Sequence, residues 1–104
     1  MEKFEVYIVA SAEMDLSGIL DYITEVLKEP EIAIHIYLSI RKKISTLKEL
    51  PLRNNVVREE PFRSLGIRLL YVENYTVFYS VDEDKLEVHV LRILYSRRQW
   101  QNLL

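Results

Sequence analysis

The sequence predicts an α+β domain of order β-α-α-β-β-β, with a helical hairpin packed on a twisted antiparallel sheet and a short C-terminal helix. Three observations carry that prediction. Apolar residues recur every three to four positions between about 12 and 50, and nearly every second position between 67 and 95. The change of period falls at Pro51. The chain has 104 residues, 49% hydrophobic and 29% charged, with two Gly and three Pro. That is enough for one buried core and too little for two domains, so residues 1–104 read as a single unit.

Each element follows from its residues. Phe4 to Ala10 alternates Phe4, Val6 and Ile8 against Glu5, Tyr7 and Val9, a first strand with one face more buried. Ser11 is placed to cap the first helix. Leu16, Ile19, Leu20, Ile23 and Leu27 then form one apolar stripe. Pro30 stops that helix and opens the next, where its missing N–H is no loss. Ala33, Ile36, Tyr37, Ile40, Ile44 and Leu47 form the second stripe, and Pro51 ends it. Asn55 to Arg58 reads as a short strand. Ile67 to Val72, Tyr75 to Val81 and Leu86 to about Tyr95 read as a meander, joined by turns at Glu73-Asn74 and Asp82 to Lys85. Such short turns make these three strands antiparallel. Ser96 opens the terminal helix over 96–104, with Trp100, Leu103 and Leu104 apolar at helical spacing.

Composition excludes several classes. With no Cys there is no disulfide framework, thiolate metal site or cysteine nucleophile. No apolar run approaches the roughly 20 residues of a membrane span. The first ten residues carry Glu5 inside the apolar stretch and do not read as a signal peptide, so a cytoplasmic protein without a membrane partner is expected. No glycine-rich phosphate loop, zinc-protease helix or calcium loop is present. His35 and His89, the two histidines, read as structural residues. No metal and no cofactor are expected.

The net charge of −2 hides a polarity. Residues 1–31 carry eight acids against Lys3 and Lys28, a net of −6, and the remainder carries +4. All eight arginines lie at or after Arg41. Arginine is the cation suited to bidentate contact with phosphate or carboxylate. Two of them interrupt apolar strands. Arg68 precedes Leu69-Leu70-Tyr71-Val72, and Arg92 sits within Val90-Leu91-Arg92-Ile93-Leu94. Each must reach water, a carboxylate or a phosphate, because an unpaired buried guanidinium is costly. Glu59, Glu60 and Glu87 are candidate internal partners; a substrate phosphate is the functional alternative.

The stretch from Glu60-Pro61-Phe62-Arg63 through Ile67-Arg68-Leu69-Leu70-Tyr71 to Leu91-Arg92-Ile93-Leu94-Tyr95, ahead of Arg97-Arg98, resembles the RelE/ParE toxins of bacterial type II toxin–antitoxin modules. The element order agrees along nearly the whole chain. The resemblance implies two chemistries. RelE- and YoeB-like members cut mRNA on the ribosome, and this is the reading favoured from sequence. ParE-like members poison DNA gyrase without an agreed nuclease site. A binding module of the same fold without toxicity is the third. For cleavage, the resemblance implies Glu60 as base, Arg68 and Arg92 on the phosphate, and Tyr95 stacking on a base or assisting proton transfer. Arg63, Arg97 and Arg98 would add substrate contacts. Three departures bear on this set. Leu94 stands where YoeB-like members carry a histidine, the RelE-like lysine pair is not recognisable around 53–58, and the pI is about 5.7. Strict alternation also puts Arg92 with Val88 and Val90, and Tyr95 on the other face. The resemblance further implies a cognate antitoxin. Its segment is expected to be acidic or amphipathic, lying on the hairpin and open sheet and complementing the arginine-rich half, while the acidic first 31 residues face away from nucleic acid.

Overall fold

The computed structural model describes residues 2–97, 100, 103 and 104. β1 (Glu5–Ile8) leads directly into α1 (Ala10–Asp21), which continues as a π turn over Tyr22–Val26. α2 (Pro30–Ser45) follows, then two short 3₁₀ turns at Thr46–Lys48 and Pro51–Arg53. β2 (Arg68–Val72), β3 (Tyr75–Asp82) and β4 (Glu87–Tyr95) complete the sheet.

The strand order is β1-β4-β3-β2. β2, β3 and β4 pair antiparallel as the short turns require, but β1 pairs with β4 in parallel, Glu5 opposite Glu87 through Ile8 opposite Val90. The sheet is therefore mixed. Alternation identifies a strand without identifying its neighbour, and the whole hairpin and meander intervene between β1 and β4.

Helix boundaries follow local chemistry, with two corrections. Ser11 is not the cap. Val9 occupies that position without a side-chain bond, its carbonyl accepting from the Ala12 and Glu13 amides. Val9 can do this because its own N–H still donates to Val90 in the sheet, so strand and helix share one residue. The second correction concerns Leu27. Leu16, Ile19, Leu20 and Ile23 face the core as the period predicts, but the π turn, closed by the Leu27 amide on the Tyr22 carbonyl, rotates Leu27 outward to half exposure. Pro30 begins α2 as expected, and Ala33, Ile36, Ile40, Ile44 and Leu47 are buried.

Both faces of the sheet are covered. Leu16, Ile36, Ile40 and Leu47 pack on Val77, Tyr79, Val88, Val90 and Ile93. On the opposite face Phe78 and Leu94 meet Val57 and Ile67, with Phe62, Trp100, Leu103 and Leu104 packed against them. The Asn55 to Arg58 strand reduces to a single bridge, Val56 to Arg68. Val57 commits its side chain to this second core, and residues 59–66 then turn away. Of the terminal helix, residues 98, 99, 101 and 102 lie outside the described residues. The amides of Leu103 and Leu104 both donate to the Trp100 carbonyl, which makes one turn. Trp100 stacks edge-on against Phe62 and tilts over Phe78, centroids 5.5 and 5.2 Å apart.

Tyr79, fully buried, ties the 51–54 loop to the sheet. Its hydroxyl donates to the Pro51 carbonyl at 2.6 Å and accepts from Asn54 at 3.0 Å. Burial pushes its pKa above the ordinary tyrosine value. Above about pH 10 the unfolded chain loses this proton while the folded chain keeps it, so stability falls as pH rises from there. Denaturant melts between pH 8 and 11 are expected to show that decline, with a smaller slope in Tyr79→Phe. That variant also loses about 1 kcal/mol or more at neutral pH, from the lost hydrogen bonds.

Candidate functional site

Arg92 occupies the most constrained position of the expected site. β1 ends at Ile8, opposite Val90, so β4 beyond Val90 has no strand on that side. α1 lies there instead. Asp15 Oδ2 accepts the Ile93 amide at 2.9 Å and Arg92 Nε at 2.7 Å, while Asp15 Oδ1 accepts Arg92 Nη2 at 2.9 Å. Arg92 Nη1 donates to the Leu103 carbonyl. Its three nitrogens are all engaged. The bonds to Asp15, foremost, hold the guanidinium pKa above its ordinary value. The partner is thus Asp15, not Glu59, Glu60 or Glu87. Nor does the acidic N-terminal segment stand apart from the arginines: one of its carboxylates closes on Arg92.

The register slips between Phe78 and Tyr79: Phe78 pairs with Arg92 but Tyr79 with Val90, leaving Leu91 unpaired as a bulge. The bulge moves Arg92 from the Val88/Val90 face to the face of Phe78 and Leu94. It precedes Arg92, so it does not unite Arg92 with Tyr95, which pairs with Tyr75 on the helix side. Arg68 pairs with Tyr79, and its guanidinium Nη1 donates to the carbonyls of Leu52 and Asn54 at 3.2 and 2.5 Å. Tyr79 and Tyr75 are four residues apart on β3, roughly 13 Å, which also separates Arg68 from Tyr95 along the sheet. Glu60 lies in the 59–66 turn and accepts Ser64 N and Oγ at 3.0 and 2.6 Å. Those two bonds, the hydroxyl's first, hold its carboxyl below the ordinary carboxylate range. Arg63 and Arg97 are exposed, and Arg98 lies outside the described residues. The four residues expected to be catalytic do not converge on one point.

What the structure does assemble is a groove of about 910 Å³ between the helical hairpin and the β3–β4 end. Met14, Tyr22, Leu27, Ile32, Tyr75 and Tyr95 line it. Tyr75 and Tyr95 meet edge to face at 5.8 Å, and burial, then the nearby Tyr95 and Tyr22, raises the Tyr75 pKa. Apart from Tyr95, sequence reasoning missed these residues. The available signal was Met14, Tyr22 and Ile32 as large apolar residues off the two predicted stripes. Neither histidine lies here. His35 is exposed and pairs with Glu73 at 3.4 Å; His89 bonds Glu87 at 3.0 Å and stacks on Tyr7. Among the described residues no cluster of three or more His, Asp or Glu could hold a metal ion, and no helix is long and apolar enough to cross a membrane.

The sequence pattern of the ParE toxins of type II toxin–antitoxin systems (parDE) matches residues 6–100. The chain belongs to the ParE toxin family. No curated protein matches it in sequence. Among solved structures, a chromosomal ParDE toxin–antitoxin system from P. aeruginosa is similar at 24% identity and TM-score 0.72, over 89% of this chain and 96% of that one. The RelBE2 toxin–antitoxin complex from Mycobacterium tuberculosis is similar at 20% identity and TM-score 0.63, over 89% and 98%. An archaeal RelE–RelB complex from Pyrococcus horikoshii OT3 is similar at 18% identity and TM-score 0.54, over 92% and 98%. These likenesses establish the fold of the ParE-family chain: two helices on a four-stranded mixed sheet.

Asp15→Ala in this ParE-family chain leaves Arg92 and the Ile93 amide without their partner. The pair is part-buried, side chains 14% and 25% exposed, so the loss is smaller than for a fully buried pair: about 2–3 kcal/mol, or ~10–20 °C in Tm. Asp15→Asn, which keeps an acceptor for the amide, is expected to lose less. Thermal melts of both variants check this.

Proposed function

We propose that this toxin acts by binding a protein target, DNA gyrase on the ParE-like reading, and that it does not cut mRNA on the ribosome. A cognate antitoxin neutralises it, in line with the toxin–antitoxin complexes among its structural neighbours. Both partners place its action in the cytoplasm.

One observation carries this reading: the Arg92 guanidinium is tied within the molecule through each of its three nitrogens, two to Asp15 and one to the Leu103 carbonyl. Cleavage by 2′-OH attack needs a base, an acid for the leaving 5′-oxygen, and donors free to meet the phosphorane. Three of the five Arg92 N–H donors are taken within the molecule, and the guanidinium is held in place by Asp15 rather than presented on an open face. Glu60 has a lowered pKa, which makes it a weak base, and it is turned onto Ser64. Tyr95 lies on the face away from Arg92. A toxin that works by contact needs only exposed anchors of the types that dominate interfaces, aromatic residues and arginine. Tyr22, Tyr71, Tyr95, Arg63 and Arg97 are exposed.

The test is inducible expression in a bacterial host, following labelled leucine and thymidine together. DNA synthesis is expected to fail first, with filamentous cells. Glu60→Gln and Tyr95→Phe are expected to remain as toxic as the parent, whereas loss of a general base costs ~10²–10⁴-fold. Early loss of leucine incorporation, with both variants harmless, would restore the mRNA-cleavage reading. Truncation after Tyr95 is a poor probe, because it also removes Trp100 from the second core.

A further inference from the structure

We propose that β1 pairs with β1 of a second copy of this chain, antiparallel and two-fold about Tyr7, joining two four-stranded sheets into one. This assembly stands apart from the choice of the toxin's target.

β1 is an edge strand, with β4 on one side and no strand on the other. The Glu5 amide donates to the Leu86 carbonyl and the Val9 amide to the Val90 carbonyl. Backbone groups alternate in direction along a strand, so the amides and carbonyls of Val6 and Ile8 point away from β4. They meet no backbone partner among the described residues. A bare edge of this kind is a template for another strand. Elsewhere the chain covers parts of its own edges. Asn55 and Val57 bond Leu69 and Ile67 along β2, and Asp15 takes the Ile93 amide of β4.

The ends of the β1 edge fix the register. The Phe4 amide already donates to the Lys48 carbonyl, and α1 begins at Ala10. A two-fold centred on Val6 would need the Phe4 amide, and one centred on Ile8 would need Ala10 extended. Centred on Tyr7, Val6 exchanges both of its free groups with Ile8 of the second copy, and Ile8 does the same with Val6. Each group left free on these two residues finds a partner, and no bond within the chain is broken.

The side chains agree with that register. Val6 and Ile8 pack on the helix-side core, so Tyr7 between them points to the other face. It is 46% exposed and stacks on His89 at 5.4 Å. The two-fold sets Tyr7 directly opposite its copy in a non-hydrogen-bonded pair, where side chains come closest. A row of rings then runs His89, Tyr7, Tyr7, His89 across the seam, and Glu87 holds each end through its 3.0 Å bond to His89. Glu5 does not meet its copy, because the two lie four positions apart along the seam, roughly 13 Å. The seam is short, so its area falls below that of a standard interface and the dimer is weak.

Sedimentation equilibrium from micromolar to millimolar chain is expected to show monomer passing into dimer. Over the same range, NMR is expected to show solvent exchange slowing at the Val6 and Ile8 amides but not at Glu5, which is already bonded to β4. Tyr7→Lys opposes like charges and removes the ring pair, so association is expected to weaken at least ~10-fold. Mixing Tyr7→Lys with Tyr7→Glu chains is expected to give a mixed dimer. The chain has no Cys, so Tyr7→Cys carries a single thiol. Opposed residues of such a pair have Cα atoms about 4.5 Å apart, within disulfide reach. Mild oxidation should therefore give a covalent dimer, whereas the more exposed Tyr71→Cys should stay largely monomeric. Circular dichroism checks that each variant keeps the parent fold. A parent chain that stays monomeric at millimolar concentration overturns the proposal. So does a dimer that Tyr7→Lys leaves intact, a lysine–glutamate mixture that stays monomeric, or Tyr71→Cys cross-linking as readily as Tyr7→Cys.

Discussion

The carboxylate of Asp15 holds together three things that the topology leaves loose. β1 is four residues long and β4 nine, so half of β4 has lost its strand neighbour on one side. An unpaired strand edge is a template for unwanted pairing. Asp15 takes one of the groups along that edge, the Ile93 amide, and fixes α1 beside it. With its second oxygen it neutralises Arg92, a cation that the bulge at Leu91 has moved to the second face of the sheet. Arg92 in turn reaches the Leu103 carbonyl and so fastens the chain's last residues. The acid, the bulge and the terminal turn form one device: the bulge sets the face that Arg92 takes, and from there Arg92 bonds both Asp15 and the Leu103 carbonyl.

That device gives the two faces of the sheet different fates. On one, Trp100, Phe62 and Phe78 close a small second core, and the surface there is filled by the protein's own residues. On the other, the helical hairpin covers the sheet except at the β3–β4 end, where the π turn at Tyr22–Val26 swings apolar side chains outward and leaves the groove. Irregular helical turns inside otherwise regular helices are frequent at functional sites, and here the irregularity has a visible consequence: Leu27 leaves the core stripe for the rim.

Much of this fold was legible in the sequence. Both helical stripes, the meander, its turns and the role of Pro30 followed from period and punctuation, which are local. The parallel partner of β1 was not legible, because it depends on a crossover of nearly the whole chain. The bulge was not legible either: Leu91 looks like any strand residue, and only the end of β1 beside it explains why the register slips there. The site was read less well for the same reason. Arg92 was recognised as needing a partner, but its partner is 77 residues away, and sequence offered nearer glutamates. The resemblance gives Arg68 a phosphate role, and it carries no sign of the bonds its Nη1 makes to the carbonyls of Leu52 and Asn54, which depend on how the 51–54 loop folds back.

Charge segregation along a chain is not charge segregation in space, and the difference changes what the molecule can bind. The acidic first third and the arginine-rich remainder suggest two poles, one to be shielded and one to be offered. Folding spends part of each pole on the other, through Asp15 with Arg92 and Glu13 with Arg41. What survives on the hairpin is exposed acid, of which Glu29 lines the apolar groove, and elsewhere the exposed Arg63 and Arg97. Each charge left exposed draws its opposite before close contact forms, so the fold, and not the order of residues along the chain, decides what each surface attracts.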